Sequence, residues 1–383
     1  MGSQSSSRKK ILTLFGTRPE VIKLAPVIQQ LERESPKFVT VNVTSAQHTD
    51  LLYPFVRLFD LRIDYDLQVM TANQSPSQTC SRVLNKLDPI LVKESPDMVL
   101  LQGDTTTALA GSLAAFHRRI PVGHVEAGLR TDNAYSPYPE EMNRRLITRL
   151  ANYHFAATPR NRETLLTEGV APEQIYVTGN PVVDALKTIL ERCSMNSTVS
   201  HLIEATRGFK RIVLTTHRRE SFGQAMAANL RVLRQFVESH ADVALIFPVH
   251  PNPEVRGPAH AILSAHPRIH LTDPLSYEDF VLLLSQAWLI VSDSGGVQEE
   301  APTLGKPLLV IRENTERPEA IESGVAKLVG GCPDRLSDML EDFHQDGNWA
   351  LALRSIENPF GRGDSGMRIA QVIDQVLWNG VAA

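Results

Sequence analysis

The stretch Trp288-Leu289-Ile290-Val291-Ser292-Asp293-Ser294-Gly295-Gly296-Val297-Gln298-Glu299-Glu300 joins an apolar run, a glycine turn and a helical pattern. It predicts a buried strand that leads into the N-terminus of a helix. At such a junction, made here by Ser294, Gly295 and Gly296, free N–H groups and the helix dipole bind anions. Glu300, one turn further on, suits sugar hydroxyls. The stretch therefore indicates a nucleotide site, although a plain strand-turn-helix connection explains the glycines equally well.

Length and composition limit the class of protein. The 383 residues exceed one typical core and suit two α/β domains. No apolar run is long enough to span a bilayer, which argues against a membrane protein. The formal net charge of -4 argues against a nucleic-acid binder that relies on overall basicity. Neither the histidines nor Cys80, Cys193 and Cys332 have metal-type spacing, so we expect no metal site. Three cysteines far apart in the sequence fit a protein of the reducing cytoplasm.

Strand and helix patterns alternate along the chain, which predicts parallel sheets with helices on both faces. We expect a disordered tail at 1–9, an N-terminal domain at 10–185 and a C-terminal domain at 186–365 that starts with a loose polar segment, 186–210. The pattern leaves open which domain the last helix, 366–380, packs on, and we assign it to the first. The predicted fold is α/β, with two Rossmann-like, doubly wound domains and a ligand cleft between them. The predicted strands are 11–15, 38–44, 98–101, 122–125, 154–157, 175–177, 211–214, 243–247, 269–271, 289–292, 307–311 and 326–329.

One glycine pattern does not indicate a dinucleotide cofactor. Gly361-Arg362-Gly363-Asp364-Ser365-Gly366 has the spacing of a dinucleotide fingerprint. No strand pattern precedes it, and too little chain follows for a βαβ unit. We interpret it as a loop and a helix start, and we expect no cofactor.

Charged side chains follow the predicted strands of the first domain. Arg18 and Lys23 follow the first strand and suit a diphosphate, although a surface loop is the alternative. Asp104 ends another strand, where a helix N-cap competes with a catalytic role. Glu126 also ends a strand, and an ion pair with Arg130 is its structural alternative.

Glu140 and Arg144 lie one helical turn apart, which fits a surface ion pair nearly as well as a site. Three carboxylates near one crevice, Asp104, Glu126 and Glu140, are harder to explain by packing. Like charges that lie together raise each other's pKa and yield one acid and one base.

The second domain places basic residues after its strands. His217 is followed by Arg218 and Arg219, which is typical of a phosphate clamp. His250 ends the next strand with a more ambiguous role. Arg317 stands at a helix start.

Ordered motifs through nearly the whole chain resemble the bacterial-type non-hydrolysing UDP-N-acetylglucosamine 2-epimerases. They are FGTRPEVIKLAPV (15–27), GDTTTALAGSLAAF (103–116), PVGHVEAGLRT (121–131), SPYPEEMNRR (136–145), HRRESFG (217–223), PVHPNPEVR (248–256), SDSGGVQEEAPTLGKP (292–307) and TERPEA (315–320). The resemblance implies a GT-B-like fold, a homodimer and an isomerase that interconverts UDP-N-acetylglucosamine and UDP-N-acetylmannosamine. The implied route eliminates UDP to give 2-acetamidoglucal and then adds UDP back.

The same resemblance implies roles for single residues. Asp104, Glu126 and Glu140 become the acid and base candidates, with Asp104 as the base of the elimination and Glu126 as a partner in proton delivery. His217 is implied to be essential near the diphosphate. The implied substrate contacts are Arg18, Lys23, Arg144 and Arg317, with Ser294, Gly295 and Gly296 on the pyrophosphate, Glu300 on the ribose and Phe280 near the uracil.

Many family members are activated by UDP-N-acetylglucosamine at a second site. The residues implied for it are Gln47, Glu140, Arg218 and His250. The element Gln47-His48-Thr49-Asp50-Leu51 has leucine in place of the family's methionine, which puts the activation in doubt. The alternatives to a non-hydrolysing epimerase are a hydrolysing epimerase that releases N-acetylmannosamine and UDP, a GT-B glycosyltransferase and a nucleotide-sugar sensor.

Overall fold

The computed structural model describes residues 8–34, 36–47, 49–71, 74–131, 133–218 and 221–378, without the side chains of residues 49–51 and 354. The chain divides into two compact units, one up to Ala185 together with the chain from Phe360, and one over Leu186–Pro359. The expected tail lies outside the described residues up to residue 7. Within the described ranges, no helix has the length and apolar character needed to cross a membrane.

The first unit contains a parallel sheet. Its described strands are β1 (Lys9–Phe15), β2 (Phe38–Thr44), β3 (Tyr65–Asp66), β4 (Met98–Gln102), β5 (Val122–Ala127), β6 (Tyr153–Ala156) and β7 (Ile175–Val177). Their order is β3-β2-β1-β4-β5-β6-β7, which is the doubly wound order with its switch point between β1 and β4. Lys9, expected in the tail, already pairs with Phe38 at the start of the sheet. The two-residue strand β3 is too short for a sequence pattern to reveal.

Helices cover this sheet. They are α1 (Arg18–Arg33), α2 (Thr49–Leu58), α3 (Pro76–Glu94), α4 (Thr106–His117), α5 (Glu140–Leu150), α6 (Pro159–Thr167), α7 (Val182–Arg192), which continues past the unit boundary, and, from the end of the chain, α16 (Ser365–Trp378). The last helix belongs to the first unit and packs closely on α1, because a Cβ on Gly366 would lie 2.7 Å from the Pro26 carbonyl oxygen.

The second unit repeats the architecture. Its described strands are β8 (Lys210–Thr215), β9 (Val243–Pro248), β10 (Ile269–Thr272), β11 (Leu289–Ser292), β12 (Leu308–Val310) and β13 (Ala326–Leu328). Its other described helices are α8 (Ser197–Ala205), α9 (Gln224–Ser239), α10 (Pro253–Leu263), α11 (Tyr277–Ser285), α12 (Gly295–Leu304), α13 (Pro318–Glu322), α14 (Pro333–Gln345) and α15 (Asn348–Ala352). The expectation of a loose segment at 186–210 is wrong, because α7 and α8 occupy most of it.

The strand order of the second unit is β10-β9-β8-β11-β12-β13, again doubly wound, with the switch point between β8 and β11. Central strands such as Leu289–Ser292 are buried along their whole length, as expected for strands covered on both faces. The two parallel sheets confirm the predicted α/β fold class. Most of the polar residues described next lie at or after the carboxyl ends of β1, β4 and β5 in the first unit and of β8, β11 and β12 in the second.

Candidate active site

Glu126 lies at the end of β5 in an unusual backbone conformation. Its φ of 64° is in the left-handed region, and the pairing of β5 with β6 shifts register between Val125 and Ala127. A bulge of this kind re-aims a side chain at the edge of a sheet, and strained non-glycine residues cluster at functional sites. The local backbone conformation therefore sets the direction of the Glu126 side chain.

Within the described ranges, the side chains of Lys23, Gln102 and Asn180 contact the Glu126 carboxylate. Lys23 of α1 forms an ion pair with Oε1, and both side chains are 9% exposed. The amide of Gln102 donates to Oε2, and the amide of Asn180 donates to Oε1 at 3.2 Å. The structural alternative for Glu126 is wrong, since Arg130 pairs with Glu168 at 2.7 Å.

Asp104 follows β4, beside the Glu126 group. The guanidinium of Arg144 donates to its Oδ2 from Nε at 2.7 Å and lies within 2.7 Å through Nη2 as well. The expected pair of Glu140 with Arg144 is replaced by this contact and by a contact of Arg144 with Glu141 at 3.3 Å. Asp104 therefore pairs with Arg144, and Glu126 pairs with Lys23. The sequence had predicted mainly that the neighbouring carboxylates raise each other's pKa.

The remaining predicted residues of the first unit are more open. Arg18 is exposed, with its guanidinium 5.9 Å from the ring centre of Phe55. Lys23 does not join it above the helix N-terminus, because Lys23 pairs with Glu126. Glu140 is the first residue of α5 and is half-buried.

Sequence reasoning missed Glu20, which is 1% exposed at the first turn of α1. Its Oε2 accepts from the backbone of Gly16 at 2.9 Å and Thr17 at 2.8 Å, and its Oε1 accepts from the Thr105 hydroxyl at 2.7 Å. Burial raises the pKa of Glu20 to about 7, against the lowering effect of these hydrogen bonds. The capping pattern Thr17 to Glu20 was visible, but its contact with Thr105 was not.

Gln102 and Asn180 were missed as well. Both are buried, at 3% and 2% exposure, and both donate to Glu126. A polar residue at the end of an otherwise apolar strand was the available signal for Gln102. Asn180 lies far along the chain, so only the fold brings it to Glu126.

In the second unit, the N-terminus of α12 faces two arginines. A Cβ on Gly295 would lie 3.1 Å from Nη1 of Arg317 and 3.3 Å from Nη2 of Arg218. Arg317 also pairs with Glu299 at 2.8 Å and Glu316 at 2.6 Å. Free N–H groups and two guanidinium groups at one helix end form an arrangement suited to a phosphate group.

Asp293, also missed, connects this helix end to the segment after β8. It is fully buried, and its Oδ2 accepts from the Thr216 hydroxyl at 2.7 Å and from the backbone N–H of His217 and Arg218 at 3.0 Å. The imidazole Nδ1 of His217 lies 3.6 Å from Oδ1. The carboxylate therefore fixes the position of the two basic residues.

Other predicted residues lie around this helix. Ser294 is the N-cap of α12, and Gly296 lies beside it in the first turn. Glu300 is 6% exposed and accepts from the Tyr277 hydroxyl at 2.8 Å. Phe280 is half-buried on α11, the helix that begins with Tyr277.

The residues implied for a second site are spread over both units. His250 is exposed, and its ring stacks on that of His217 at 5.6 Å between centres. Arg218 lies at the α12 N-terminus, as described above. Gln47 accepts from the Thr107 hydroxyl at 2.9 Å in the first unit. In the same element, His48 lies outside the described residues, as do Arg219 and Glu220 of the second unit.

A family model described as UDP-N-acetylglucosamine 2-epimerase matches residues 29–374. The chain belongs to this family. The UDP-N-acetylglucosamine 2-epimerase of Escherichia coli K12 is 44% identical over 369 residues, which cover 95% of this chain and 98% of the relative.

A solved member of the epimerase family has the same fold. The crystal structure of the Neisseria meningitidis UDP-GlcNAc 2-epimerase bound to UDP-GlcNAc superposes with a TM-score of 0.87 at 40% identity. The match covers 95% of this chain and 99% of that one. The family resemblance expected from the motifs is thus confirmed.

Two buried histidines on neighbouring strands predict acid sensitivity of this epimerase-family fold. Burial lowers the pKa of His124 to about 3 and that of His154 to about 4, from the ordinary value near 6.5. In the unfolded chain both imidazoles bind a proton as the pH falls below about 6.5. In the folded chain His154 binds its proton only near pH 4 and His124 only near pH 3. The stability from the neutral rings is therefore fully present above pH 6.5 and is lost as the pH falls toward 4.

We expect the urea midpoint to fall from pH 7 to pH 4.5, and to fall less steeply in His154→Gln. One titrating group accounts for up to about 1.4 kcal/mol of unfolding free energy per pH unit. Urea unfolding at a series of pH values measures both slopes. Equal slopes in the two proteins would contradict the assignment of His154.

Proposed function

We propose that this protein is an isomerase that interconverts UDP-N-acetylglucosamine and UDP-N-acetylmannosamine by eliminating UDP across C1 and C2 and adding it back. The observation that carries the proposal is the Glu126 carboxylate, held in left-handed backbone among Lys23, Gln102 and Asn180. Carbon 2 has no neighbouring carbonyl to acidify its proton. Removing that proton needs a positioned carboxylate and a stabilised leaving group, and no cofactor.

The proton-handling groups are assigned to the first unit. Asp104 acts as the base of the elimination, and Glu126 delivers or accepts the proton on the other face of the sugar. Glu140, at the start of α5, is the third candidate. The separate cations of Asp104 and Glu126 support this division, because Arg144 and Lys23 hold the two carboxylates in fixed positions.

The diphosphate is assigned to the second unit. The N-terminus of α12, from Ser294 to Gly296, binds it together with Arg317, and the Arg218 guanidinium contributes from the same place. His217 stabilises the departing UDP. Further contacts follow the family resemblance, namely Glu300 to the ribose, Phe280 to the uracil, and Arg18, Lys23 and Arg144 to the rest of the substrate.

Solvent exchange tests the proposal. The purified protein is incubated with UDP-N-acetylglucosamine in deuterated water, and both sugars are analysed by NMR. We expect deuterium at C2 with the sugar still bound to UDP. Release of free N-acetylmannosamine together with UDP would indicate a hydrolysing epimerase. Transfer of the sugar to an acceptor, with C2 unlabelled, would indicate a glycosyltransferase. Binding of the UDP-sugar without exchange would indicate a sensor. Each of these three outcomes would overturn the proposal.

Two adjacent glycines give a matched test of the diphosphate site. Gly295→Ala will weaken UDP binding by about tenfold, or 1.4 kcal/mol, because its Cβ would enter the space between the arginines. In Gly296→Ala the nearest side-chain atoms would lie 3.8 Å and 4.0 Å away, which is ordinary contact. Calorimetric titration with UDP measures both affinities. Equal loss in the two variants would contradict the site.

We also propose a homodimer formed through the first unit. Large apolar side chains are exposed on three of its helices, with Val92 55%, Phe116 57%, Met142 40% and Leu146 46% exposed. Exposed apolar groups concentrated in this way are typical of protein interfaces. Light scattering should give twice the chain mass for the wild type and the monomer mass for Phe116→Glu combined with Leu146→Glu. A monomeric wild type would overturn this proposal.

We further assign the enzyme to the cytoplasm. Cys80, Cys193 and Cys332 are all free thiols. Free cysteines fit a reducing compartment.

A further inference from the structure

Asp104 is carried by a short connection between β4 and α4. Gly103 has a φ of 73°, and Thr105 is the N-cap of α4, so the connection between strand and helix is only three residues long. His124 on β5 lies against this connection, with its Nε2 2.8 Å from the Gly103 carbonyl oxygen. A carbonyl only accepts hydrogen bonds, so Nε2 carries the proton and donates.

Two more side chains hold the same connection. The amide of Asn143 on α5 donates to the carbonyl oxygen of Asp104 at 2.8 Å. The carboxylate of Glu20 on α1 accepts from the Thr105 hydroxyl at 2.7 Å. Three successive residues are therefore each held by one side chain, and the three side chains come from three different elements.

These three side chains are buried, which makes the contacts strong and specific. His124 is 1% exposed, Glu20 is 1% exposed and Asn143 is 6% exposed. Leaving a buried carbonyl oxygen without a hydrogen-bond donor costs free energy, so these contacts stabilise this conformation of the connection. The connection therefore behaves as a rigid support for the Asp104 side chain.

We infer that His124, Asn143 and Glu20 are positioning residues that aim the Asp104 carboxylate at the C2 proton of the sugar. This inference rests on the proposed function, in which Asp104 is the base. Arg144 holds the carboxylate itself, whereas His124 and Asn143 hold the backbone from which the carboxylate projects and Glu20 holds the side chain of the next residue, Thr105. Displacing a reacting group by about 1 Å can cost about 100-fold in rate, so control of the backbone matters for proton transfer.

His154 provides a matched control for His124. The two residues are directly paired across β5 and β6, and both are 1% exposed. Both are therefore buried imidazoles at the same level of one sheet. His124 donates to the connection that carries Asp104, whereas His154 lines a separate cavity with Arg149 and Asn152.

The experiment compares glutamine and methionine at each position. Glutamine retains a donor at the place of Nε2, and methionine has a similar length without a donor. The turnover number, KM, the rate of C2 deuterium exchange, UDP affinity and the urea midpoint are measured for the four variants, with Asn143→Ala as a second test of the same connection.

We expect His124→Met to lower the turnover number and the exchange rate by roughly 30-fold, with KM and UDP affinity within about twofold of wild type. His124→Gln should recover most of this loss, and Asn143→Ala should lower exchange by at least fivefold. At position 154, the methionine and glutamine variants should show equal turnover. The inference is overturned if the ratio of glutamine to methionine activity is the same at positions 124 and 154, or if Asn143→Ala exchanges like wild type.

Asp104→Asn, measured in parallel, separates this inference from the proposed function. If Asp104→Asn exchanges C2 deuterium like wild type, the assignment of the base is wrong and the proposed mechanism fails with it. If Asp104→Asn loses exchange while the His124 variants match the His154 variants, the proposed function stands and the positioning role is wrong.

Discussion

Glu126→Gln will lower the turnover number for the two UDP-sugars by about 1,000-fold, since a positioned acid or base contributes roughly 100- to 10,000-fold. Glutamine keeps the shape of the side chain but neither removes nor delivers a proton at C2. Left-handed backbone favours glycine, yet the residue at this position is glutamate. A strained residue of this kind points to a requirement for its carboxylate. Steady-state kinetics and C2 deuterium exchange measure the effect.

Stability must be separated from chemistry in this variant. Glu126→Gln removes the negative partner of Lys23, and breaking a buried ion pair costs about 3–5 kcal/mol of unfolding free energy. The double variant Lys23→Met with Glu126→Gln removes both charges and should recover most of that stability. Its turnover should stay at the level of Glu126→Gln or below.

Urea unfolding and kinetics on the same samples decide the question. Activity that returns together with stability in the double variant would show that Glu126 has only a structural role. Activity of Glu126→Gln within tenfold of wild type, in a stably folded protein, would do the same.

Asp293→Ala will weaken UDP binding by about 100-fold, or 2.8 kcal/mol. The variant leaves the Thr216 hydroxyl and the N–H groups of His217 and Arg218 without their buried acceptor. The segment after β8 then loses its attachment to the end of β11, and the two basic residues lose their place beside α12. We also expect about 3 kcal/mol less unfolding free energy from the unsatisfied donors.

Asp293→Asn is the informative partner of that variant. Oδ2 accepts three hydrogen bonds, so an asparagine amide oxygen in its place keeps these three and loses only the second contact of the His217 N–H, which lies 3.2 Å from Oδ1. The amide group then replaces Oδ1, and the charge beside the His217 imidazole is lost. We expect Asp293→Asn to bind UDP about tenfold more tightly than Asp293→Ala.

Thr216→Val completes the series, because it removes one donor and keeps the carboxylate. It should bind UDP within about threefold of wild type, since His217 and Arg218 remain attached. Calorimetric titration gives all three affinities. If Asp293→Ala binds UDP like wild type, the carboxylate does not position these residues.

The fold was largely predictable because both sheets are parallel and buried on two faces. Strands of this kind appear in the sequence as short apolar runs, such as Leu289–Ser292, and polar residues appear where they end. The short β3 was not predictable, because two residues show no periodicity. The helix α8 was missed because it is only nine residues long and its sequence was read as part of a loose polar segment.

The candidate site was predictable as a set of strand ends but not as a set of contacts. Asp104, Glu126 and Gly295 were visible because each follows an apolar strand. Their partners come from other parts of the chain, as Lys23 and Asn180 do for Glu126. A pairing of that kind depends on which strands become neighbours and on side-chain direction.

The sequence by itself determined the fold class, the positions of the strand ends and the family, because these follow from local periodicity and ordered motifs. The tertiary structure alone decided that Glu126 pairs with Lys23 and that Asp293 holds the segment after β8. It also decided that His124 supports the connection of Asp104. The physical reason is burial: a polar group removed from water must find a partner, and the fold determines which partner lies within reach.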